Sequence, residues 1–64
     1  MRMTVREAFE KKVKQPGLRL MYQGNVVYQL KRPYPGATRF VVQFDDRGLP
    51  PAYSDGNDLI EVEG

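Results

Sequence analysis

The chain of 64 residues lacks cysteine, histidine and tryptophan, and Ser54 is its one serine. Without cysteine no disulfide can form, and without cysteine and histidine the usual ligands of structural zinc are missing. The same absences remove the thiol nucleophile and the imidazole base on which many catalytic sites depend. We therefore predict a fold that is stabilised by its hydrophobic core alone, with no metal site and no cofactor.

Long hydrophobic runs are missing as well. No apolar stretch approaches the length of about 18 residues that a membrane-spanning helix needs, and the first residues show no signal-peptide pattern. Hydrophobic residues make up 41% of the chain and charged residues 28%, which is typical of a globular protein. We expect a single domain over residues 1–64 that is soluble, cytoplasmic and free of membrane contact.

Charge is distributed unevenly along the chain. Residues 1–44 carry nine Lys or Arg against two Glu, a net charge of +7, whereas residues 45–64 carry one Arg against six carboxylates, a net charge of −5. Such asymmetry is typical of a basic surface that contacts an anionic partner. The alternative is that the two halves neutralise each other across neighbouring strands of the folded protein.

The first element is predicted to be a helix over residues 4–15. Thr4 and Glu7 form a capping-box pattern at its start, and Pro16 with Gly17 ends it. Apolar residues recur at helical spacing on one face, namely Val5, Ala8, Phe9 and Val13. A helix this short is marginal alone, so its apolar face must pack against another element.

Alternating apolar residues predict four strands, over residues 18–23, 26–32, 39–44 and 59–63. Between the first two strands we prefer a three-residue loop, 23–25, with Asn25 in the left-handed conformation. This loop places Tyr22 opposite Val26 and Leu20 opposite Tyr28, so that all four side chains face the core. Residues 32–36 contain two prolines and form a stiff loop, and residues 49–53 form an irregular or edge segment.

These elements predict an α+β fold, in which the N-terminal helix covers one face of a small antiparallel sheet. We expect three or four strands in a meander, curled toward an SH3-like or partly closed barrel. The predicted core follows from the alternation. It consists of Val5, Phe9, Val13, Leu18, Leu20, Tyr22, Val26, Tyr28, Leu30, Phe40, Val42, Phe44, Ile60 and Val62.

The polar residues offer little support for catalysis or metal binding. Ser54 has no histidine to activate it, and Glu61 with Glu63 is expected on a solvated face where nothing perturbs a carboxylate. Residues 55–58 contain oxygen ligands, but their spacing does not fit a calcium loop. We therefore predict that the protein is not an enzyme.

The outer face of the predicted sheet has an unusual composition of bases, glutamines and aliphatic residues, which is typical of a surface that a partner covers. We predict that it binds a protein partner or a second copy of the chain, with Met21, Val27 and Val41 at its centre. Scattered surface apolar residues without a partner are the alternative. The predicted binding residues are Arg19, Met21, Val27, Gln29, Lys31, Arg39 and Val41.

Nucleic-acid binding through the basic residues of positions 1–44 is the second hypothesis. The predicted contact residues are Arg19, Lys31, Arg32, Tyr34 and Arg39. Most aromatic residues are assigned to the core, so the stacking platform of single-strand binders is missing in this interpretation. The leading hypothesis is therefore a non-enzymatic interaction module of the adaptor or inhibitor kind, whose layout resembles that of phage-encoded accessory proteins.

Overall fold

A computed structural model describes residues 1–63 and confirms the α+β class. Its sheet has six strands rather than three or four, because two three-residue strands are too short to show alternation in the sequence. One of them, Ala52–Ser54, overlaps the predicted edge segment 49–53. The elements are β1 (Arg2–Thr4), α1 (Val5–Lys14), β2 (Arg19–Tyr22), β3 (Asn25–Lys31), β4 (Phe40–Phe44), β5 (Ala52–Ser54) and β6 (Leu59–Glu63).

The six strands form one antiparallel sheet in the order β1-β6-β2-β3-β4-β5. Strands β2 to β5 form a meander, of which β2, β3 and β4 correspond to predicted strands, whereas the predicted last strand, β6, lies outside it. Strand β6 returns to pair with the free edge of β2, and β1 then covers β6. The sheet is curled into a half-barrel, and α1 packs against its concave face, where the core lies.

The predicted cap begins α1. The Thr4 hydroxyl oxygen accepts a hydrogen bond from the backbone N–H of Glu7 at 3.2 Å, and the hydroxyl donates to Glu7 Oε1 at 3.0 Å. The helix ends at Lys14, where the side chain of Lys12 donates to the backbone carbonyls of Pro16 and Leu18, both at 2.9 Å. The N-terminal cap is thus the one that the sequence pattern predicts, and Lys12 connects the segment after the helix back to α1.

The core contains most of the predicted residues, but the prediction that Val13 belongs to it was wrong. Val13 is 68% exposed, whereas Val5 and Ala8 are fully buried and Phe9 is half-buried. Backbone N–H groups of the first helical turn bond to carbonyls of the loop 55–58, so the first half of α1 is fixed to the sheet. The residues buried in the core cluster are Val5, Ala8, Leu18, Leu20, Tyr22, Val27, Leu30, Phe40, Val42, Ile60 and Val62.

The predicted hairpin register was wrong. Strands β2 and β3 are joined by a two-residue turn, Gln23-Gly24, and both residues have positive φ, 52° and 80°. Two residues of positive φ are typical of a type I′ turn, whose twist matches that of the flanking strands. Leu20 therefore lies opposite Val27, and Asn25 starts β3 instead of ending the turn. The register differs from the predicted one by a single residue, which exchanges the two faces of β3.

A β-bulge in β3 then restores the predicted alternation of side chains from Leu30 onwards. The pairing with β4 shifts between Val27 and Gln29, so that Leu30 faces the core opposite Val42. The bulge contributes one extra residue, and both Tyr28 and Gln29 are exposed. Val26 and Tyr28 were therefore assigned to the core wrongly, and Val27 was assigned to the outer face wrongly, because strict alternation was assumed through the whole strand.

The neighbouring residues Val26 and Val27 provide a test of this register. We expect Val27→Ser to lower the free energy of unfolding by about 2–3 kcal/mol, since it leaves a cavity and buries a hydroxyl. The matched change Val26→Ser on the exposed side should cost within about 0.5 kcal/mol. Urea denaturation of both variants measures the difference. A larger loss for Val26→Ser than for Val27→Ser would contradict the observed register.

Candidate binding surface

The outer face of the sheet presents a row of side chains across β3, β4 and β5. Lys31 lies directly opposite Val41, and Val41 lies directly opposite Tyr53 on its other side. Gln29 and Gln43 form the next pair on the same face. Because directly paired residues of a sheet share a face, these five side chains are neighbours.

Tyr28 lies at the bulge, next to the pair of Gln29 and Gln43. Its side chain is 63% exposed, and that of Tyr53 on β5 is 66% exposed. Between Tyr28 and the loop after β4 lies an open groove of about 460 Å³, which is also lined by Phe44, Leu49 and the charged residues Asp45, Asp46 and Arg47. A bulge commonly redirects a side chain at a functional position. We call this surface the β3–β5 patch, defined by Tyr28, Gln29, Lys31, Val41, Gln43 and Tyr53.

Met21, Val27 and Val41, the predicted centre of the outer face, do not form a cluster. Val27 is only 6% exposed and belongs to the core. Met21 pairs with Val26 and Glu61, whereas Val41 pairs with Lys31. The positions opposite Met21 and Val41 are five residues apart along β3, which corresponds to about 16 Å. Met21 and Val41 are therefore separate half-buried positions on the outer face.

Opposite charges meet on the β6 side of the sheet. Arg2 Nε lies 3.3 Å from Glu61 Oε2, and Arg19 is paired with Glu63 in the strand register. The expected neutralisation of the basic part by the acidic part is therefore present at this edge. An exposed ion pair of this kind contributes little stability, but it reduces the local positive potential. Arg19 thus lies beside a carboxylate, away from the β3–β5 patch.

The basic residues at the other end of β3 have no such neighbours in the sequence. No Asp or Glu occurs between Glu10 and Asp45, and within residues 1–63 the one side-chain ion pair is that of Arg2 with Glu61. Lys31 ends β3 and Arg39 precedes β4, so both lie near one end of the β3–β4 hairpin. This end of the sheet therefore has an unpaired positive charge.

The residues predicted to contact nucleic acid are divided between two sides of the molecule. Tyr34, in the loop between β3 and β4, is 65% exposed. Arg32, from the same loop, points instead to the helix side, where its guanidinium lies over the rings of Phe9 and Phe40. The structure thus brings Lys31, Tyr34 and Arg39 to one end of the sheet and leaves Arg19 near β6.

The exposure of two tyrosines, Tyr28 and Tyr53, is the main feature that the sequence analysis did not predict. Tyr28 was assigned to the core, and Tyr53 was assigned only to an irregular segment. The signal was the pair Gln23-Gly24, because glycine at the second position of a two-residue hairpin favours a type I′ turn and hence the observed register. The bulge itself has no comparable signature in the sequence.

Ser54, the only serine, is part of a structural network. It is 2% exposed. Its hydroxyl donates to Asp58 Oδ2 at 2.9 Å and accepts from the backbone N–H of Gly56 at 3.1 Å. Tyr22 donates its hydroxyl proton to the same Asp58 oxygen at 3.2 Å. A hydroxyl so enclosed is not accessible to a substrate, and the network joins β2, β5 and the loop 55–58.

The oxygen-rich loop 55–58 uses its carboxylates internally. Asp55 Oδ1 accepts from the backbone N–H of Asn57 at 2.8 Å, a bond typical of an Asx turn. Asp58 accepts the two hydroxyl groups described above. Over residues 1–63, no group of three or more acidic side chains is arranged to hold a metal ion.

Comparisons with protein-family models, with curated proteins and with solved structures found no match to this chain. Within the described part of the chain, no helix is both long enough and apolar enough to cross a membrane.

The network around Tyr22 predicts a pH dependence of stability. Burial raises the pKa of the Tyr22 hydroxyl above its ordinary value of 10.0, and the Asp58 carboxylate adds to the rise. As the pH rises, the unfolded chain loses this proton first. The contribution of Tyr22 is thus fully present below about pH 10 and is lost as the pH passes the pKa of the folded state.

We expect Tyr22→Phe to remove this part of the alkaline loss of stability, and to cost about 1 kcal/mol at neutral pH through the missing hydrogen bond. Chemical denaturation at a series of pH values measures both effects. The exposed Tyr34→Phe is the matched control and should behave as the unmodified protein does. Identical alkaline profiles for Tyr22→Phe and the unmodified protein would contradict the role assigned to this network.

Proposed function

We propose that the protein is a non-enzymatic binding module that docks on an acidic surface of another protein through the β3–β5 patch. The observation that carries this proposal is the exposure of Tyr28 and Tyr53 on either side of the half-buried Val41. Tyrosines around an aliphatic centre are characteristic of the energetically dominant residues of protein interfaces. An adaptor or inhibitor-like accessory role requires only such a surface.

The composition of the β3–β5 patch supports a protein partner of negative charge. Gln29 and Gln43 supply uncharged donors and acceptors, and Lys31 is the only charged side chain of the patch. Arg39 adds a positive charge near its edge. Complementary charge of this kind mainly increases the rate of association and selects among partners, while the tyrosines and Val41 supply the affinity.

Catalysis has no comparable support. The Ser54 hydroxyl is enclosed, and the carboxylates that contact other groups do so as hydrogen-bond acceptors or in the exposed pair of Arg2 with Glu61. A catalytic site needs a nucleophile, a base and an orienting group together in a cleft. Among residues 1–63, the open groove beside Tyr28 is lined by the carboxylates of Asp45 and Asp46, but by no serine, cysteine or histidine.

Binding of single-stranded nucleic acid is the second candidate, favoured by one specific observation. Tyr28, Tyr34 and Tyr53 are all exposed, and Lys31 and Arg39 carry positive charge at the end of the β3–β4 hairpin to which Tyr34 belongs. Stacking of a base on an exposed aromatic ring contributes about 1–3 kcal/mol, and phosphate contacts add the electrostatic part. The exposure of Tyr28, which the alternation in the sequence predicts to be buried, adds a stacking surface to this candidate.

A photo-cross-linking experiment tests the docking surface. A photoreactive amino acid replaces Gln43, and the cross-linked polypeptide is identified by mass spectrometry after nuclease treatment. We expect Tyr53→Ser and Lys31→Glu each to lower the yield of that polypeptide several-fold, since they remove an aromatic contact and reverse a charge.

Val13→Glu is the matched control, because Val13 is equally exposed but lies on the helix. This variant should leave the cross-linking yield unchanged. The proposal fails if Val13→Glu and Tyr53→Ser have the same effect, or if the cross-linked product disappears on nuclease treatment. The second result would support the nucleic-acid candidate instead.

The nucleic-acid candidate predicts a salt dependence of its own. For a single-stranded oligonucleotide, Lys31→Ala and Arg39→Ala should each reduce the log-log slope of affinity against salt by about 0.7. Arg19→Ala should reduce the slope less, because Glu63 lies opposite Arg19. Fluorescence anisotropy at several salt concentrations measures the slopes. Absence of binding at about 50 mM salt would eliminate this candidate.

A further inference from the structure

Arg32 is held between two aromatic rings on the helix side of the sheet. Its guanidinium carbon lies 5.3 Å from the ring centre of Phe9 and 5.2 Å from that of Phe40. The two rings are themselves 5.2 Å apart and tilted by 54°. Both distances are within the range of cation–π attraction, so the guanidinium is held in one place before any ligand arrives.

The polar atoms of Arg32 have no partner within residues 1–63. Its Nε is buried, and no acceptor of the described residues lies within hydrogen-bonding distance. No carboxylate of the described chain forms an ion pair with Arg32. A buried donor without an acceptor is costly, and native proteins rarely leave one so. The aromatic rings balance the charge but provide no acceptor for the N–H groups.

A second arginine reaches the same aromatic ring. An ideal Cβ built on Gly56 would lie 3.2 Å from Arg6 Nη2 and 3.0 Å from Phe40 Cε2. The Arg6 guanidinium and the edge of Phe40 therefore approach the same point, which only glycine leaves open, and Gly56 also has a φ of +92°. Like Arg32, Arg6 has no side-chain ion pair in the described chain.

The two acidic residues of the loop 55–58 are engaged elsewhere. Asp58 accepts hydrogen bonds from Tyr22 and Ser54, and Asp55 accepts one from a backbone N–H of its own loop. The backbone N–H groups at the start of α1 are also used, because Val5 and Arg6 donate to carbonyls of the loop 55–58. The two guanidinium groups are therefore the available donors at this junction of helix, loop and sheet.

We propose that Arg32 and Arg6 form a binding site for a phosphate group on the helix side of the sheet. The planar fork of a guanidinium matches two oxygens of a phosphate, and two such forks provide the charge that a dianion requires. Arg32 lies over the ring of Phe40, and Arg6 Nη2 lies beside the edge of the same ring at Gly56. The site lies on the face opposite the β3–β5 patch and does not depend on the function proposed for that patch.

Nuclear magnetic resonance of the arginine Nε–H groups tests the site directly. The protein is titrated with inorganic phosphate at constant ionic strength, with sodium chloride as the balancing salt. We expect the Nε–H signals of Arg32 and Arg6 to shift in a saturable way, with a Kd on the order of 1 mM. The signal of the exposed Arg47 should not follow the same curve.

Three variants separate a phosphate site from general positive charge. Arg32→Lys keeps the charge but loses the fork, and we expect it to weaken phosphate binding at least tenfold. Arg6→Gln should weaken binding as well, and because Arg6 is exposed the fold should persist in this variant. Arg39→Gln removes a charge from the opposite side and should leave the Kd unchanged.

The proposal is overturned if no saturable shift occurs, or if chloride alone produces the same shifts. It is also overturned if Arg39→Gln weakens binding as much as Arg6→Gln does. A parallel titration with acetate distinguishes the chemistry of the ligand. Acetate should bind at least tenfold more weakly than phosphate, since it carries one charge, and equal affinity for acetate would contradict the assignment to phosphate.

Discussion

The β-bulge within β3 reverses the alternation of its side chains and so determines which residues lie on each face of the sheet. The turn at Gln23-Gly24 directs Val27 to the core, and the bulge at Tyr28 allows Leu30 to face the core as well. Without the bulge, one of these two aliphatic side chains would face solvent, because side chains alternate strictly in a regular strand. The extra residue also exposes Tyr28, so one backbone irregularity both completes the core and creates the β3–β5 patch.

The loop 55–58 connects the helix with both parts of the curled sheet. Its carbonyl groups accept the first backbone N–H groups of α1, and Asp58 accepts hydroxyl protons from Tyr22 on β2 and Ser54 on β5. Strands β2 and β5 are not neighbours in the sheet order, so these bonds join positions that only a curled sheet brings together. In a chain with no disulfide, this polar network acts as the cross-link between the helix and both parts of the sheet.

Positive charge is distributed differently over the two faces of the protein. Near β6, Arg2 and Arg19 lie beside glutamates. At the end of the β3–β4 hairpin, Lys31 and Arg39 have no acidic neighbours in the sequence, and Arg32 turns to the helix side between two phenyl rings. The two proposed sites therefore use different arginines and lysines, which allows each to be tested without disturbing the other.

The sequence by itself determined the class of fold, the helix with its Thr4 cap, and the approximate limits of four strands, because these depend on local spacing and on the hydrogen bonds of nearby side chains. Tertiary structure decided the register of β3, the short strands β1 and β5, and the exposure of Tyr28 and Tyr53. A register is set by pairing across strands, and a shift of one residue costs little locally although it exchanges the two faces. The placement of Arg32 between Phe9 and Phe40 was decided in the same way, since these three residues meet only when the helix packs on the curled sheet.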